Sequence, residues 1–283
     1  MGREVAAACL RRGLHLVPVA LTGPGLGDKE IVVDDGKGGS QTKVRLYDPD
    51  SREELANIVS QSYPVDGDQT LVCVDYTHPS AVNGNAEWYA ANKFPFVMGT
   101  TGGDREALLE TVTGAVDCVI APNMAKQIVA LQAALEKLAA DFPGAFSGYN
   151  LRVVESHQST KADTSGTAKA ISADLAKLTG ETGWTDDSIE RVRHTSEQLA
   201  GGGPSHTGVS PVPEEALGGH AYHTYSMVSA DKKVEFQIRH NVQGRTTYAE
   251  GTVDAVMFLA ERVAKGDKPK VFNMVDVLQA GAM

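Results

Sequence analysis

His157 and Lys161 stand four residues apart in the stretch Glu155-Ser-His-Gln-Ser-Thr-Lys-Ala-Asp-Thr-Ser-Gly-Thr167. An imidazole changes charge near neutral pH and can give or take a proton, and an ammonium attracts an anion. Ser165-Gly166-Thr167 follow where a helical pattern, Ala168 to Leu178, begins. The first turn of a helix presents unpaired N–H groups and partial positive charge, so it binds anions. An acid, a cation and an anion cradle in one short stretch point to a site for a small carboxylate substrate. Each signal also has a plain reading. A lone histidine after a strand is usually a core residue, a lone lysine a solvated one, and Ser-Gly-Thr an ordinary helix cap. Their combination favours a catalytic His157, with Lys161, Ser165, Gly166 and Thr167 as a carboxylate clamp.

A strand must lead into this stretch, and Tyr149 to Val154 has the apolar character of one. Ahead of it, strand and helix alternate. Helices are expected at Met1–Arg12 with Gly13 as stop, from the Ser51-Arg-Glu-Glu54 capping box to Ser60, from Pro79 to Asn92 and over Asp104–Val112. Strands are expected at Leu14–Leu21, Thr70–Asp75, Phe96–Met98 and Cys118–Ala121, and the Gly-rich stretches 22–40 and 200–210 read as surface loops. Short apolar strands alternating with helices imply a parallel, doubly wound sheet. Three strand ends carry polar or Gly-rich chemistry: Asp75-Tyr-Thr-His-Pro79, Gly99-Thr-Thr-Gly-Gly103 and Ala121-Pro-Asn-Met124. Ligands bind at the carboxyl ends of such sheets, so the three together point to a nucleotide site.

The pattern changes after Met124. Ile128, Leu131, Leu135, Leu138 and Phe142 follow helical spacing, and residues 221–229 and 233–241 read as a hairpin turning at Asp231-Lys232. Val234, Phe236, Ile238 and His240 alternate with Glu235, Gln237, Arg239 and Asn241, which implies one packed and one polar face. The chain is expected to form one domain from residues 1–124 plus 252–283 and a second, α+β domain from 125–251.

The 283 residues carry a net charge of −10 and 42% hydrophobic residues, enough for a core and unfavourable for nucleic-acid binding. Apolar runs fall far short of the roughly 20 residues a membrane span needs. Cys9, Cys73 and Cys118 lack metal-ligand spacing and read as buried thiols of a reducing compartment. His220, His223 and His240 also fit no compact ligand set and have no carboxylate grouped with them in sequence, so no metal is expected. The acidic segment 181–190 reads as a solvated face.

These residues resemble one family over nearly the whole chain, the dihydrodipicolinate (4-hydroxy-tetrahydrodipicolinate) reductases of lysine biosynthesis. Glu155-x-His157-x-x-x-Lys161-x-Asp163 with Ser165-Gly166-Thr167 is the most specific match. Gly99-Thr-Thr-Gly102, Ala121-Pro-Asn-Met124, Gly219-His220, His240 with Arg245, Ala249-Glu-Gly251 and Met274-Val-Asp-Val-Leu278 match in order. His157-Gln158 and Asp163-Thr-Ser-Gly-Thr167 are similar to the plant-type branch. The resemblance implies a Rossmann-like sheet with a second α+β substrate domain, and reduction of the cyclic dicarboxylate with NADPH or NADH. It places His157 and Lys161 as catalytic residues. Thr101, Gln158, Lys161, Ser165, Gly166 and Thr167 would meet the substrate, and Tyr76, Gly99, Thr100, Thr101, Ala121, Pro122, Asn123 and Met124 the cofactor. For Tyr76 two readings stand, lining the nicotinamide pocket or packing under the loop. Asn123 and Met124 either contact nicotinamide or only make the turn, and Arg245 either closes on substrate or pairs with Glu250. The resemblance further implies a homotetramer joined through the substrate-domain sheets.

One departure matters. Met1-Gly-Arg resembles the tail of the family's Gly-rich loop, so the chain opens on the first helix, without the first strand and most of that loop. An incomplete start is the expectation, and an upstream segment carrying a targeting peptide puts the plastid stroma beside the cytoplasm as compartment. The alternative is a non-catalytic reductase-like scaffold or assembly factor that has lost cofactor binding.

Overall fold

A computed structural model describes residues 1–64, 69–204 and 206–281, so residue 205 of the expected 200–210 loop and the expected domain end at 282–283 lie outside the described residues. The chain divides into two compact units, Met1–Lys126 with Thr246–Met283, and Gln127–Arg245.

The first unit opens with α1 (Gly2–Arg11), which ends where Gly13 takes φ +72°. Then come β1 (Val19–Leu21), β2 (Glu30–Asp34), β3 (Gln41–Tyr47), α2 (Arg52–Ser62) and β4 (Cys73–Asp75). They are followed by α3 (Val82–Asn92), β5 (Phe96–Met98), α4 (Arg105–Val112) and β6 (Cys118–Ile120). The second unit contains most of α5 (Lys126–Asp141), then β7 (Tyr149–His157), α6 (Gly166–Thr179), β8 (Glu190–Val192), α7 (Thr195–Leu199), β9 (His220–Ser229) and β10 (Glu235–Gln243). The chain completes the first unit with α8 (Thr246–Ala264), β11 (Val271–Phe272) and α9 (Met274–Gln279).

Strands β11-β6-β5-β4 form a parallel sheet, and β1-β3-β2 form a separate mixed one. Each parallel strand is short and nearly all apolar, as strands covered on both faces must be. Phe96, Val97 and Met98 are fully buried. Phe96 and Met98 lie in a core with Tyr89, Val82, Leu108 and Val112 from the flanking helices. A second cluster joins Val5, Ala8 and Cys9 of α1 to Ala249 and Val253 of α8. Gly251 is required there, because a Cβ at that position would overlap the Met124 carbonyl. The second unit is an α+β layer with strand order β10-β9-β7-β8. Its core is built from Leu135, Leu151, Val153, Ile171, Leu175, Leu178, Tyr225 and Met227.

The α/β class with a second α+β sheet agrees with the sequence, but several local expectations do not hold. The strand expected from Leu14 begins only at Val19, since Pro18 has no N–H to donate to a ladder. The Gly-rich 22–40 segment contains a strand, β2, paired antiparallel with β3. Its turn is held by the Asp35 carboxylate, which accepts the amides of Lys37, Gly39 and Ser40. Ser51 makes no capping bond. Pro49–Ser51 is already a 3₁₀ turn capped by Asp48, so Ser51 lacks the extended backbone a cap requires. On α5 the buried side is Ile128, Val129, Leu135 and Ala139, while Leu138 and Phe142 are 38% and 58% exposed. The β10 face is only half packed. Ile238 reaches the core, but Val234 and Phe236 remain 43% and 46% exposed because β10 is the sheet edge. Finally, β7 runs three residues beyond Val154, so His157 is the last residue of the strand rather than part of a following loop.

Candidate functional site

In the first unit, parallel register aligns Asp75 with Met98 and Met98 with Ile120. The loops after β4, β5 and β6 therefore leave from one sheet edge, the carboxyl edge where open α/β sheets bind ligands. The first two loops are tied together by Asp75, which the strand-end pattern grouped with a nucleotide site and which is a fully buried carboxylate. It accepts from the Thr77 amide and hydroxyl at 2.9 and 2.7 Å, the Thr100 hydroxyl at 3.2 Å, the Asn85 amide at 2.7 Å and the Tyr89 hydroxyl at 3.2 Å. A carboxylate with no water around it needs such a set of donors. Close packing also explains the glycines. A Cβ on Gly99 would overlap the Tyr76 ring, and Gly102 and Gly103 take φ +115° and +70° against Pro79 and Asn83.

Tyr76 lies under this loop, with its hydroxyl 2.6 Å from Thr252 Oγ1 and its ring beside the α1–α8 cluster. Thr101 is exposed, as is Pro122, while Ala121 and Met124 are buried. Asn123 Oδ1 accepts the Ala125 amide at 2.8 Å and so shapes the turn after β6. Glu250 pairs with Arg11 at 2.9 Å, so the partner suggested for Arg245 is engaged elsewhere.

In the second unit, strand alternation puts Glu155 and His157 on one face of β7, and His223 of β9 lies directly opposite Glu155. Glu155 is fully buried. It forms an ion pair with Arg193 and accepts the Ser165 amide at 2.9 Å. Arg193 also donates to the Lys161 carbonyl at 2.8 Å, so it orders the loop that carries the lysine. His157 is 7% exposed. Its Nε2 is 2.9 Å from His223 Nε2, and its carbonyl accepts from Gln198 Nε2 at 2.6 Å. Ser156, on the opposite face, reaches His220 Nε2 at 2.9 Å. Burial, reinforced by the charges of Arg193 and Lys161, pushes the His157 pKa down to about 3, so the unliganded imidazole is neutral.

Lys161 Nζ pairs with Asp163 at 2.8 Å and is still 21% exposed. Gln158 is half-buried. Ser165 stands at the start of α6 without a side-chain capping bond, and the space beside the Gly166 Cα is open. His157, Lys161 and the 165–167 turn are thus gathered around the end of one strand. Sequence reasoning missed Arg193, Gln198 and the His157–His223 contact. One signal was available. Glu155 is a charge inside an apolar strand pattern, and such a charge demands a partner.

The expectation that no carboxylate groups with the histidines is corrected. Glu155, His157 and His223 offer ligand atoms within 4.8 Å of one another. The Arg193 guanidinium on that carboxylate opposes a cation there.

The chain is similar to known proteins along its whole length. Residues 1–124 match the model described as dihydrodipicolinate reductase, N-terminus, and residues 128–278 the model described as its C-terminus. A probable 4-hydroxy-tetrahydrodipicolinate reductase 1, chloroplastic, of Oryza sativa subsp. japonica is 44% identical over 284 residues, covering 100% of this chain and 77% of the rice protein. The 4-hydroxy-tetrahydrodipicolinate reductase 1, chloroplastic, of Arabidopsis thaliana is 43% identical, covering 100% of this chain and 76% of that protein. Among solved structures, dipicolinate-bound dihydrodipicolinate reductase from Paenisporosarcina sp. TG-14 superposes with a TM-score of 0.59 at 19% identity, over 96% of this chain and 92% of that one, which shows a shared fold. Both halves of the sequence and the arrangement of its sheets lead to one conclusion: the chain belongs to the dihydrodipicolinate (4-hydroxy-tetrahydrodipicolinate) reductase family.

Proposed function

We propose that this chain reduces 4-hydroxy-tetrahydrodipicolinate (dihydrodipicolinate) to tetrahydrodipicolinate, with NADPH or NADH as reductant. The observation that carries the reading is the 43–44% identity to chloroplastic reductases across the full chain. The carboxyl edge of the parallel sheet suits a dinucleotide, with Gly99, Thr100 and Thr101, and Ala121, Pro122, Asn123 and Met124, on loops leaving it, and Tyr76 beneath. A bound reduced nicotinamide supplies the hydride. The second unit supplies the rest from its own residues. The helix N-terminus at Ser165, Gly166 and Thr167 receives one carboxylate of the substrate, and Lys161 neutralises it. Gln158 completes the substrate contacts that this unit offers in this reading.

His157 donates the proton. Its depressed pKa in the free protein reflects burial first and the neighbouring cations next. A bound dicarboxylate sets negative charge against those cations and raises the imidazole towards the range where it delivers a proton. The proposed assembly is a homotetramer joined through the second unit's sheet, supported by the exposed Phe236 on edge strand β10 and the exposed Val234 just before it. The chloroplastic relatives favour plastid stroma over cytoplasm as the compartment, and no helix among the described residues is long and apolar enough to cross a membrane.

The test is reductase turnover with NADPH and with NADH. The unsubstituted chain is expected to turn over, and His157→Ala and Lys161→Ala to lose about 10²–10⁴-fold in kcat with folding intact. Full activity in either variant removes that residue from the mechanism. A folded chain that binds neither cofactor supports the scaffold alternative.

A further inference from the structure

His223, Tyr225 and His240 are polar side chains that the proposed reaction does not use, and they continue in line from His157. His223 Nε2 is 2.9 Å from His157 Nε2, and His223 Nδ1 is 2.9 Å from the Tyr225 hydroxyl. That hydroxyl lies 3.5 Å from His240 Nε2, and the His240 ring stands 4.5 Å from that of His223. Strand register builds the row, because His223 pairs with Glu155 on one side and with His240 on the other.

All three imidazoles are neutral near pH 7, since burial holds His157 at about 3, His240 at about 4 and His223 well below its ordinary value. A neutral imidazole has one donor and one acceptor nitrogen, so each link must point one way. The far end selects the direction. His240 Nδ1 is buried and has no partner among the described residues. A buried N–H without an acceptor is costlier than a buried lone pair without a donor. The His240 proton therefore belongs on Nε2, where it donates to Tyr225. Tyr225 then donates to His223 Nδ1, and His223 Nε2–H donates to His157 Nε2. That leaves the His157 proton on Nδ1. At the near end Glu155 Oε2 lies 3.8 Å from His157 Nε2, beyond hydrogen-bond reach, whereas His223 Nε2 is 2.9 Å from that nitrogen.

We propose that His223, Tyr225 and His240 form a one-way hydrogen-bond chain that holds the proton of unliganded His157 on Nδ1, and that His223 is a positioning residue for this imidazole. The chain also resists protonation of His157. A second proton on Nε2 would need His223 as acceptor, which reverses every link and strands an N–H at His240 Nδ1.

Nitrogen-15 NMR of histidine-labelled, unliganded protein near neutral pH reads the protonated nitrogen of each ring. The expected result is Nδ1–H for His157 and Nε2–H for His223 and His240. An Nε2–H tautomer at His157 overturns the proposal, and this measurement needs no variant to fold. Tyr225→Phe keeps the ring but removes the link. His157 is then expected to populate Nε2–H and to protonate more readily, so that the alkaline limb of the kcat–pH profile moves to higher pH while the KM for the dicarboxylate is unchanged. An unchanged His157 tautomer in that variant also overturns it. The kinetic part rests on the reductase reading, whereas the tautomers do not. A protein that shows the expected tautomers but no turnover fails that reading alone.

Discussion

Glu155 and Arg193 form an ion pair in which the carboxylate is fully buried and the guanidinium is 16% exposed. The pair joins the end of β7 to the residue after β8. Through its other donors Arg193 reaches the carbonyls of Lys161 and Asp163. The loop carrying the proposed lysine is therefore positioned by a residue more than thirty positions away in sequence.

Removing Arg193 should be costly for a specific reason. Arg193→Met leaves Glu155 buried without its counter-charge, and breaking a buried pair in this way costs about 3 kcal/mol. Urea unfolding should show that loss. The double variant Glu155→Gln with Arg193→Met should recover a large part of it, because no charge is then left unpaired. Equal losses in the single and double variants would mean the pair is not the cause.

The buried histidines predict how stability depends on pH. Unfolded histidine takes up its proton near 6.5, whereas folded His157 and His240 do so only at about 3 and 4. Between these values the unfolded chain binds more protons, so acid favours unfolding. Their contribution is complete above pH 6.5 and is lost as pH falls towards 4 and then 3. Urea midpoints should drop between pH 7 and pH 4, and His157→Gln should flatten that slope. A flat profile in the unsubstituted protein would contradict the burial of these rings.

Gly251 sits where α8 passes the Met124 carbonyl, with no room for a Cβ. Gly251→Ala must push the helix off the turn after β6, an overpacking change of about 2 kcal/mol. Thermal unfolding should record a lower Tm. Gly2→Ala has open space around it and is the matched control, expected to leave Tm nearly unchanged.

The three cysteines should be silent in the native state. Burial raises Cys9 to about 11 and Cys73 and Cys118 to about 12, so the reactive thiolate is scarce at pH 8. A thiol reagent at that pH should label none of them until denaturant is added, and then label all three. Rapid labelling of the folded protein would show that a core containing a cysteine opens readily.

Local signals made much of this molecule legible in its sequence. Buried parallel strands read as short apolar runs, and Phe96–Met98 is recovered residue for residue because both of its faces are covered. The start of α6 and the proximity of His157, Lys161 and Ser165-Gly166-Thr167 followed from spacing, since all lie within one strand–loop–helix passage. The strand β2 was hidden by its Gly- and Asp-rich surroundings, which have the composition of a loop and fold as a hairpin through Asp35. What only the tertiary structure decided is the company each functional side chain keeps. Arg193 beside Glu155, Asp75 between Thr77 and Thr100, and His223 against His157 come from separate strands and loops. Propensity and periodicity carry information over a few residues along the chain. The partner of a buried charge is chosen by sheet register and packing, which no local pattern contains.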